Sequence, residues 1–424
     1  MTMPNADDLA VLPLFREAAR LHSTDDLDAA EPIYRAILER QPAHAGALHL
    51  MGVLLGQRLK LKEAMTWLDR ASDAPNQDLE TSLCLAQALG SLGQSGAGLV
   101  PCERVLMQHP DNTAALYLRA ELLQRNLDAD TALEAIGHLR THVAAGQADA
   151  RVPIDWPSLL LEQGNLFAHE KRFSEAAELY EQSRRSGADP SVVDFRLASV
   201  GQQRAPDTPP RSMVRSLFDR YADRFDTHLR DHLAYRAPEV VAEVVAPLRA
   251  PGRLLATLDL GCGTGLSGMP MRAGASRLVG VDLSSKMVAQ ARERGIYDEL
   301  HVGELLDYLE GRATVHAAPG PLPGPFDLAL ATDVLNYIGN LAPLHAALNQ
   351  VLAPGGLFAF TVEQTADDGP PFVLNDSLRY AHSAAYVRAL AADHGYAVLA
   401  LGEAVLRKER DADVRGLVVV IRRG

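Results

Sequence analysis

The chain has 424 residues, a formal net charge of −13 and 47% hydrophobic residues. At roughly 150 residues per domain, this length predicts two or three domains, each with its own core. The acidic balance argues against nucleic acid as a partner, and no apolar run approaches the ~18 residues that a membrane-spanning helix needs.

The N-terminus and the cysteines indicate the compartment. The first residues, MTMPNADDLAVLPLF, contain acids and a proline where a secretory signal carries a basic stretch and a long apolar one. The three cysteines, Cys84, Cys102 and Cys262, form no C-x-x-C pair and predict neither a disulfide framework nor a thiolate zinc site. We therefore expect a cytoplasmic protein.

A repeat with a period of about 34 residues fills the first half of the chain. Small residues recur in pairs at constant spacing: Ala18/Ala30, Gly52/Ala64, Ala86/Gly98, Ala120/Ala132 and Gly164/Ala176. The last pair follows an insertion around GQADARVPIDWP, just before Trp156. Two helices can cross closely only where both present small side chains, so each pair predicts one helical hairpin.

This pattern resembles the tetratricopeptide repeat family over roughly residues 11–200. No single hairpin buries its apolar face, so the units must stack into an all-helical solenoid. The resemblance implies a domain over residues 1–200, with 191–201 as a capping helix and a groove for a protein or peptide partner. The alternative is an array that only spaces or oligomerises the protein.

A Pro-rich and polar stretch, GQQRAPDTPPR, covers residues 201–211 and predicts a linker. A second domain would then occupy residues 212–424.

A strand followed by a glycine-rich turn begins this second domain. From Leu254 the sequence LLATLDLGCGTGLSG predicts an apolar strand, then glycines at 261, 263 and 265, then a helix. Such a turn lets the backbone approach a bound cofactor. The next strand, RLVGVD, ends in Asp282, whose carboxylate can accept both hydroxyls of a ribose.

Strands and helices continue to alternate, which predicts a doubly wound, mostly parallel sheet of α/β type. The last two strands, YAVLALGE and GLVVVIRR, are separated by a segment too short for a helical crossover. We expect those two to be antiparallel, for seven strands in all.

Two families fit the glycine turn. Gly263, Gly265 and Gly268, with an acid about twenty residues on, match the dinucleotide fingerprint of NAD-dependent oxidoreductases. Asp259 before the first glycine, the closing hairpin and TDVLNYI after the fourth strand favour another family. The run DLGCGTG resembles the first motif of class I S-adenosylmethionine-dependent methyltransferases, which have a Rossmann-like fold. Both halves together resemble bacterial repeat-containing predicted methyltransferases.

The methyltransferase resemblance implies roles for the residues of the first two strand ends. Gly261, Gly263 and Gly265 would line the turn beneath the methionine part of S-adenosylmethionine. Asp259 would meet the amino end of the cofactor, and Asp282 would bind its ribose hydroxyls.

The same resemblance extends the cofactor site to later positions. Leu283 and Met287 would cover the adenine, although Met287 could equally belong to a helix core. Glu304 would accept a hydrogen bond from the adenine amino group, and Asp333 would contact the methionine end.

The segment SLFDRYADRFDTHLRDHLAYRAPEVV resembles the entry segment of several small class I methyltransferases, which can fold over the cofactor as a lid. Tyr221, Phe225 and Tyr235 would face the cofactor, or these aromatic rings would only fasten the helices to the sheet. His228 and His232 share a helix face without a clear third ligand, so no metal site is expected.

Methyl transfer depends mainly on orientation and desolvation, so a general base is optional. If the acceptor must lose a proton, the candidates near the strand ends are Asn336, Tyr337, Glu363 and His382. No residue specifies the acceptor. The repeats favour a protein that they recruit, with a small-molecule acceptor or a non-catalytic cofactor-binding protein as alternatives.

Overall fold

The computed structural model describes residues 6–24, 26–58, 60–72, 79–91, 93–126, 128–221, 235–312, 324–409 and 412–424. The chain divides into two compact units, Met1–Gly187 and Ala188–Gly424. None of the helices within these ranges combines the length and the apolar character needed to cross a membrane.

The described residues of the first unit form helices joined by turns and short loops. Its helices are α1 (Ala6–Ser23), α2 (Leu27–Arg40), α3 (Ala45–Gln57), α4 (Leu61–Ser72), α5 (Leu79–Ser91), α6 (Ser95–Gln108), α7 (Thr113–Arg125), α8 (Ala129–Ala144), α9 (Trp156–His169) and α10 (Phe173–Arg185). Side-chain acceptors begin several of them: Asn112, Asp128 and Asp155 each accept a main-chain N–H of the first turn of α7, α8 and α9.

The predicted small residues lie where the two helices of a pair cross. A Cβ atom on Gly98 would stand 2.8 Å from the carbonyl oxygen of Ala86. A Cβ atom on Gly164 would stand 3.2 Å from the carbonyl oxygen of Ala176 and 2.5 Å from the Tyr180 ring. These contacts explain why glycine or alanine occupies both sides of each crossing.

Neighbouring helix pairs share their cores. The first helices of successive pairs, α1, α3, α5, α7 and α9, contact one another in chain order. One buried cluster joins Ala86 of α5, Cys102 of α6 and Leu118 of α7. The apolar face of one pair is therefore covered by the next pair, as a repeat requires.

The second unit combines helices with one sheet. Its helices are α11 (Pro190–Ser199), α12 (Arg211–Tyr221), α13 (Ala237–Val245), α14 (Ser285–Glu293), α15 (Leu305–Leu309), α16 (Ala342–Val351) and α17 (Ala384–Asp393). Its strands are β1 (Leu255–Leu260), β2 (Ala275–Asp282), β3 (Glu299–Val302), β4 (Phe326–Ala331), β5 (Leu352–Thr365), β6 (Phe372–Leu374), β7 (Tyr380–Ser383), β8 (Tyr396–Glu409) and β9 (Ala412–Arg423).

In the described residues the sheet has nine strands rather than the predicted seven. The order is β3-β2-β1-β4-β5-β7-β6, and β9 pairs with both β5 and β8. The pairs among β1 to β5, and β5 with β7, are parallel, whereas β8 and β9 are antiparallel as predicted. The two additional strands, β6 and β7, form a short hairpin at the end of β5.

No α-helix follows the glycine turn, which corrects the prediction of a helix there. Residues 261–271 form turns, and only a short 3₁₀ segment, Arg272–Gly274, precedes β2. The segment contains Gly263, Gly265 and Gly268 followed by Pro270, and these residues disfavour a helix. The helix dipole therefore makes no contribution at this turn.

The division between the units comes before the predicted linker, because α11 packs in the second unit. Phe195 of α11 lies with its ring centroid 6.2 Å from that of Tyr380 in β7. The Tyr380 hydroxyl donates to the carbonyl of Pro206 at 2.7 Å. Residues 188–200 are thus part of the second unit.

The helix crossings yield a test of packing. We expect Gly98→Ala to lower the free energy of unfolding by about 1–3 kcal/mol, because its Cβ overlaps the Ala86 carbonyl. Gly137→Ala in α8 is the control: its Cβ meets open space and should stabilise by about 0.5–1 kcal/mol. Urea unfolding followed by circular dichroism measures both. Equal effects of the two variants would contradict the close crossing.

Candidate functional site

The carboxyl ends of β1, β2, β4 and β5 carry the predicted site residues. In open α/β sheets these ends line the ligand crevice. The turn after β1 has left-handed backbone at Gly261, Gly263 and Gly265, with φ of 68°, 53° and 96°. A Cβ atom on Gly261 would also overlap the side chain of Val334, so this position requires glycine.

Asp259, near the end of β1, is a fully buried carboxylate with one open acceptor. Its Oδ2 accepts from Ser267 Oγ at 2.8 Å and from Tyr297 OH at 2.7 Å. Its Oδ1 is buried without a hydrogen-bond partner among the described residues. Burial raises the pKa of Asp259 to about 6. An unsatisfied buried carboxylate oxygen is suited to a cationic donor from a ligand.

Asp282, at the end of β2, holds the glycine turn in place. Its Oδ2 accepts from the main-chain N–H of Gly263 at 2.9 Å, and its Oδ1 accepts from Ser284 N–H at 2.8 Å. Burial raises the pKa of Asp282 to about 6, and the nearby Asp219 charge adds to the shift. Each carboxylate oxygen has a second lone pair, so the group can still accept two hydroxyls.

The three positions predicted at the adenine end follow β2 and β3. Leu283 is partly exposed, and Met287 in α14 is completely buried. Glu304 caps α15 by accepting from Asp307 N–H at 3.0 Å, and Arg211 of α12 donates to the same carboxylate at 3.4 Å. Glu304 is therefore engaged within the protein in this structure.

Asp333 follows β4 in an unusual backbone conformation for a residue with a side chain. Its φ is 57°, in the left-handed region. Its N–H donates to Thr361 Oγ1 at 2.8 Å, which ties the turn to β5. Its Oδ1 accepts from Asn336 Nδ2 at 2.9 Å and from Arg407 Nη1 at 2.8 Å.

Three of the four candidate catalytic residues lie around Asp333. Asn336 contacts Asp333 directly, and its own Oδ1 is buried without a partner among the described residues. Glu363 of β5 accepts from Arg407, which also binds Asp333. Arg379 Nε donates to Tyr337 OH at 3.4 Å, and an Arg379 Nη1 lies 3.9 Å from Glu363 Oε1. Carboxylates, guanidinium groups and a phenol thus form one cluster.

The hydrogen bond of His382 is made to a main-chain carbonyl outside this cluster. It lies in β7 with no exposed surface, and its Nε2 donates to the Gly339 carbonyl at 2.9 Å. Burial lowers its pKa to about 4. These contacts describe a neutral packed imidazole and a weak base.

The predicted lid residues are only partly within the described structure. Phe225, His228 and His232 lie outside it, and so does the side chain of Tyr221. Tyr235 is partly buried and packs against the apolar cluster that joins α13 to the sheet. Burial raises its pKa, and the charge of Asp333 raises it further.

The helix α12 also reaches the site. Its Phe218 ring contacts Tyr337 edge-on, with 5.3 Å between the centroids. Its Asp219 accepts from Ser284 Oγ at 2.5 Å. Together with the Arg211 contact to Glu304, these contacts show that α12 touches the predicted adenine end of the cofactor site and the candidate catalytic residue Tyr337.

Sequence reasoning missed Tyr297 and Arg407. Tyr297 follows α14 and packs where a Cβ on Gly268 or Gly280 would overlap its ring. Gly268 and Gly280 leave room for this ring, so these two glycines are the one sequence feature connected with the position of Tyr297. Arg407 comes from β8, far along the chain, and nothing in its local sequence indicates that its side chain is 99% buried.

Comparisons with known proteins find relatives of part of the second unit. Residues 258–358 match the family described as a methyltransferase domain. Over 107 residues the chain is 33% identical to a ubiquinone biosynthesis O-methyltransferase from Aromatoleum aromaticum, covering 24% of this chain and 42% of that protein.

Two solved structures are each similar to part of this chain. One is a magnesium protoporphyrin IX methyltransferase from Synechocystis PCC 6803 with bound SAH, 18% identical over 51% of this chain and 100% of that one, with a TM-score of 0.38. The other is YrrB, a TPR protein with an unusual peptide-binding site, 18% identical over 45% of this chain and 96% of that one, also with a TM-score of 0.38.

The family match decides between the two interpretations of the glycine turn. The chain spans less than half the length of the curated relative it matches, so that relative's acceptor is not carried over here. The matched segment contains the glycine turn, Asp259, Asp282 and Asp333. Residues 258–358 are therefore similar to a methyltransferase domain, which favours the methyltransferase interpretation of the glycine turn over the oxidoreductase one.

The raised pKa values predict how stability depends on pH. An aspartate that ionises near pH 4 when unfolded and at about 6 when folded costs the ligand-free protein stability as pH rises between these values. Asp259→Asn removes this cost. We therefore expect the difference in Tm, variant minus original chain, to increase as the pH rises from ~4 to ~7.

Asp298 provides the control of opposite sign. Hydrogen bonds from Arg272 and Leu278 lower its pKa, so its ionised form stabilises the fold above pH ~4. Asp298→Asn should lower Tm at neutral pH without a further change between pH ~5 and ~7. Parallel pH profiles for both variants, measured by thermal unfolding, would refute the proposed cost of burying Asp259.

Proposed function

We propose that this chain transfers the methyl group of S-adenosylmethionine to an oxygen atom of a small-molecule acceptor. The observation that carries the proposal is the unpartnered, fully buried Oδ1 of Asp259 beside the left-handed glycine turn and Asp282. A buried carboxylate that lacks a donor, next to a turn without Cβ atoms, is built for a ligand with a cationic group.

The residues present fit the chemical groups of this cofactor. Asp259 would accept from the ammonium of the methionine part, and Asp282 would accept from the ribose hydroxyls. Met287 and Leu283 would lie against the adenine. Glu304 would accept from the adenine amino group through Oε1, because its bonds to Arg211 and to Asp307 N–H both use Oε2.

The chain's own residues would contribute positioning more than acid–base chemistry. When bound, S-adenosylmethionine supplies a methyl carbon on a positively charged sulfur, which is already a good leaving group. The protein must exclude water and align an acceptor lone pair with that carbon. Glu363 shares Arg407 with Asp333, and its carboxylate would orient the acceptor hydroxyl and take its proton. Tyr337, which accepts from Arg379, would orient the acceptor through its own hydroxyl.

The choice of an oxygen acceptor follows the curated relatives. The relatives matched at 33% identity are named O-methyltransferases of ubiquinone biosynthesis. This similarity reverses the order that the sequence suggested, in which a protein acceptor came first.

The repeats favour a second candidate, a protein acceptor or partner. The stacked helix pairs of the first unit have the period and small-residue crossings of tetratricopeptide repeats, and we propose that they bind a peptide or protein. In that case the array would bring the acceptor, or an accessory protein, to the methyltransferase domain.

The cofactor assignment has a direct test. Asp282→Ala removes the acceptor of two main-chain N–H groups and of the ribose hydroxyls, so we expect S-adenosylhomocysteine binding to weaken by about a hundredfold or more. Isothermal titration calorimetry measures it. Glu299→Gln, at a β3 carboxylate that forms ion pairs with Arg277 and His301, is the control that should bind normally. Tight binding of NADH by the original chain would instead support the oxidoreductase.

The acceptor class has a separate test. The full chain is incubated with S-adenosylmethionine carrying a labelled methyl group and a cell lysate, and macromolecules are then separated from metabolites. We expect label in the metabolite fraction, as a methyl ether. Label in a single protein band would favour the protein acceptor instead. Cofactor binding with no label in either fraction would favour a non-catalytic interaction protein.

A further inference from the structure

One arginine links the cofactor side and the acceptor side of the site. Arg407 is the largest fully buried side chain among the described residues, with 1% of its surface exposed. Its Nη1 donates to Asp333 Oδ1 at 2.8 Å, and its Nη2 donates to Glu363. A guanidinium group presents several donors in one rigid plane, so it fixes the separation of two carboxylates.

The fold around Arg407 is arranged to bring it there. The pairing of β8 with β9 shifts register between Val405 and Arg407, so that Leu406 is an extra residue. Such bulges redirect side chains. Leu406 packs where a Cβ on Gly416 of β9 would overlap it, and both Leu406 and Arg407 are buried although they are adjacent.

The need for Arg407 follows from what it contacts. Asp333 and Glu363 place two acidic side chains at neighbouring strand ends, and the buried Arg407 forms an ion pair with each of them. Asp333 also has left-handed backbone, a conformation that persists in a non-glycine residue only when surrounding contacts hold it. The Arg407 ion pair, the Asn336 bond and the Thr361 bond are those contacts.

We infer that Arg407 is a positioning residue for cofactor binding, acting through Asp333 and anchored on the other side by Glu363. This inference rests on the proposed function, because it needs the methionine end of the cofactor to meet Asp333. Arg407 itself touches neither cofactor nor acceptor in this scheme. Its part is to hold the turn after β4 in the arrangement that receives the cofactor.

A purely structural role for Arg407 would act through charge alone. Arg407→Met removes the buried cation between Asp333 and Glu363 and leaves Arg379, 3.9 Å from Glu363, as a cation beside that carboxylate. The loss of one partner of a buried ion pair lowers stability strongly. Adding Glu363→Gln removes one of those charges and should restore much of the Tm. If neutralisation were the whole role of Arg407, this double variant would also regain cofactor affinity.

The experiment measures Tm without ligand and the Kd for S-adenosylhomocysteine, both on the full chain. We expect Arg407→Met/Glu363→Gln to have a Tm near that of the original chain but a Kd weakened by at least about tenfold. Arg407→Lys, which keeps the charge but cannot bridge both carboxylates, should also weaken binding. Arg253→Met breaks the exposed pair with Asp327 and should leave the Kd unchanged.

The outcomes separate this inference from the proposed function. A double variant that folds and binds S-adenosylhomocysteine within about twofold of the original chain overturns the positioning role. If Arg407→Met alone does not fold, the Kd values of the double variant and of Arg407→Lys still test the positioning role. Failure of the unmodified chain to bind S-adenosylhomocysteine would instead overturn the proposed function and, with it, the basis of this inference.

Discussion

The burial of carboxylates at one edge of the sheet is the constraint on which the second unit depends. Ionised groups are costly away from water unless donors surround them. Asp282 receives two main-chain N–H groups, and Asp333 receives Arg407. Asp259 receives a phenol and a hydroxyl on one oxygen only. The glycine turn, the bulge in β8 and the position of Tyr297 all serve to supply these donors.

Local sequence predicts the parts of the site that lie close together in the chain. The sequence predicts Asp259, the glycines of the turn and Asp282 as site residues. This is possible because the strand, the glycine turn and the acid at the end of the next strand lie within about thirty residues. The donors that complete the site come from elsewhere: Tyr297 follows a helix, and Arg407 sits on the penultimate strand. No local pattern marks such partners, since their burial results from tertiary packing.

The differences in the fold have equally physical causes. The helix expected after the glycine turn does not form, because three glycines and Pro270 interrupt it. The β6–β7 hairpin escaped prediction because its strands have only three and four residues, within a stretch rich in Pro, Gly and Asp. In the first unit the small residues were read correctly as helix crossings, because steric contact at a crossing leaves a clear residue signature.

Asp333 pays a backbone cost that a glycine at the same place would avoid. Left-handed backbone costs an ordinary residue about 1 kcal/mol or more, and aspartate tolerates it better than most. Glycine at this place would relieve the backbone cost, but it would also remove the carboxylate that receives Arg407 and Asn336. A substitution chosen for backbone geometry alone would thus deprive a buried guanidinium group of one of its carboxylate partners, and a domain altered in that way would be a poor guide to its activity.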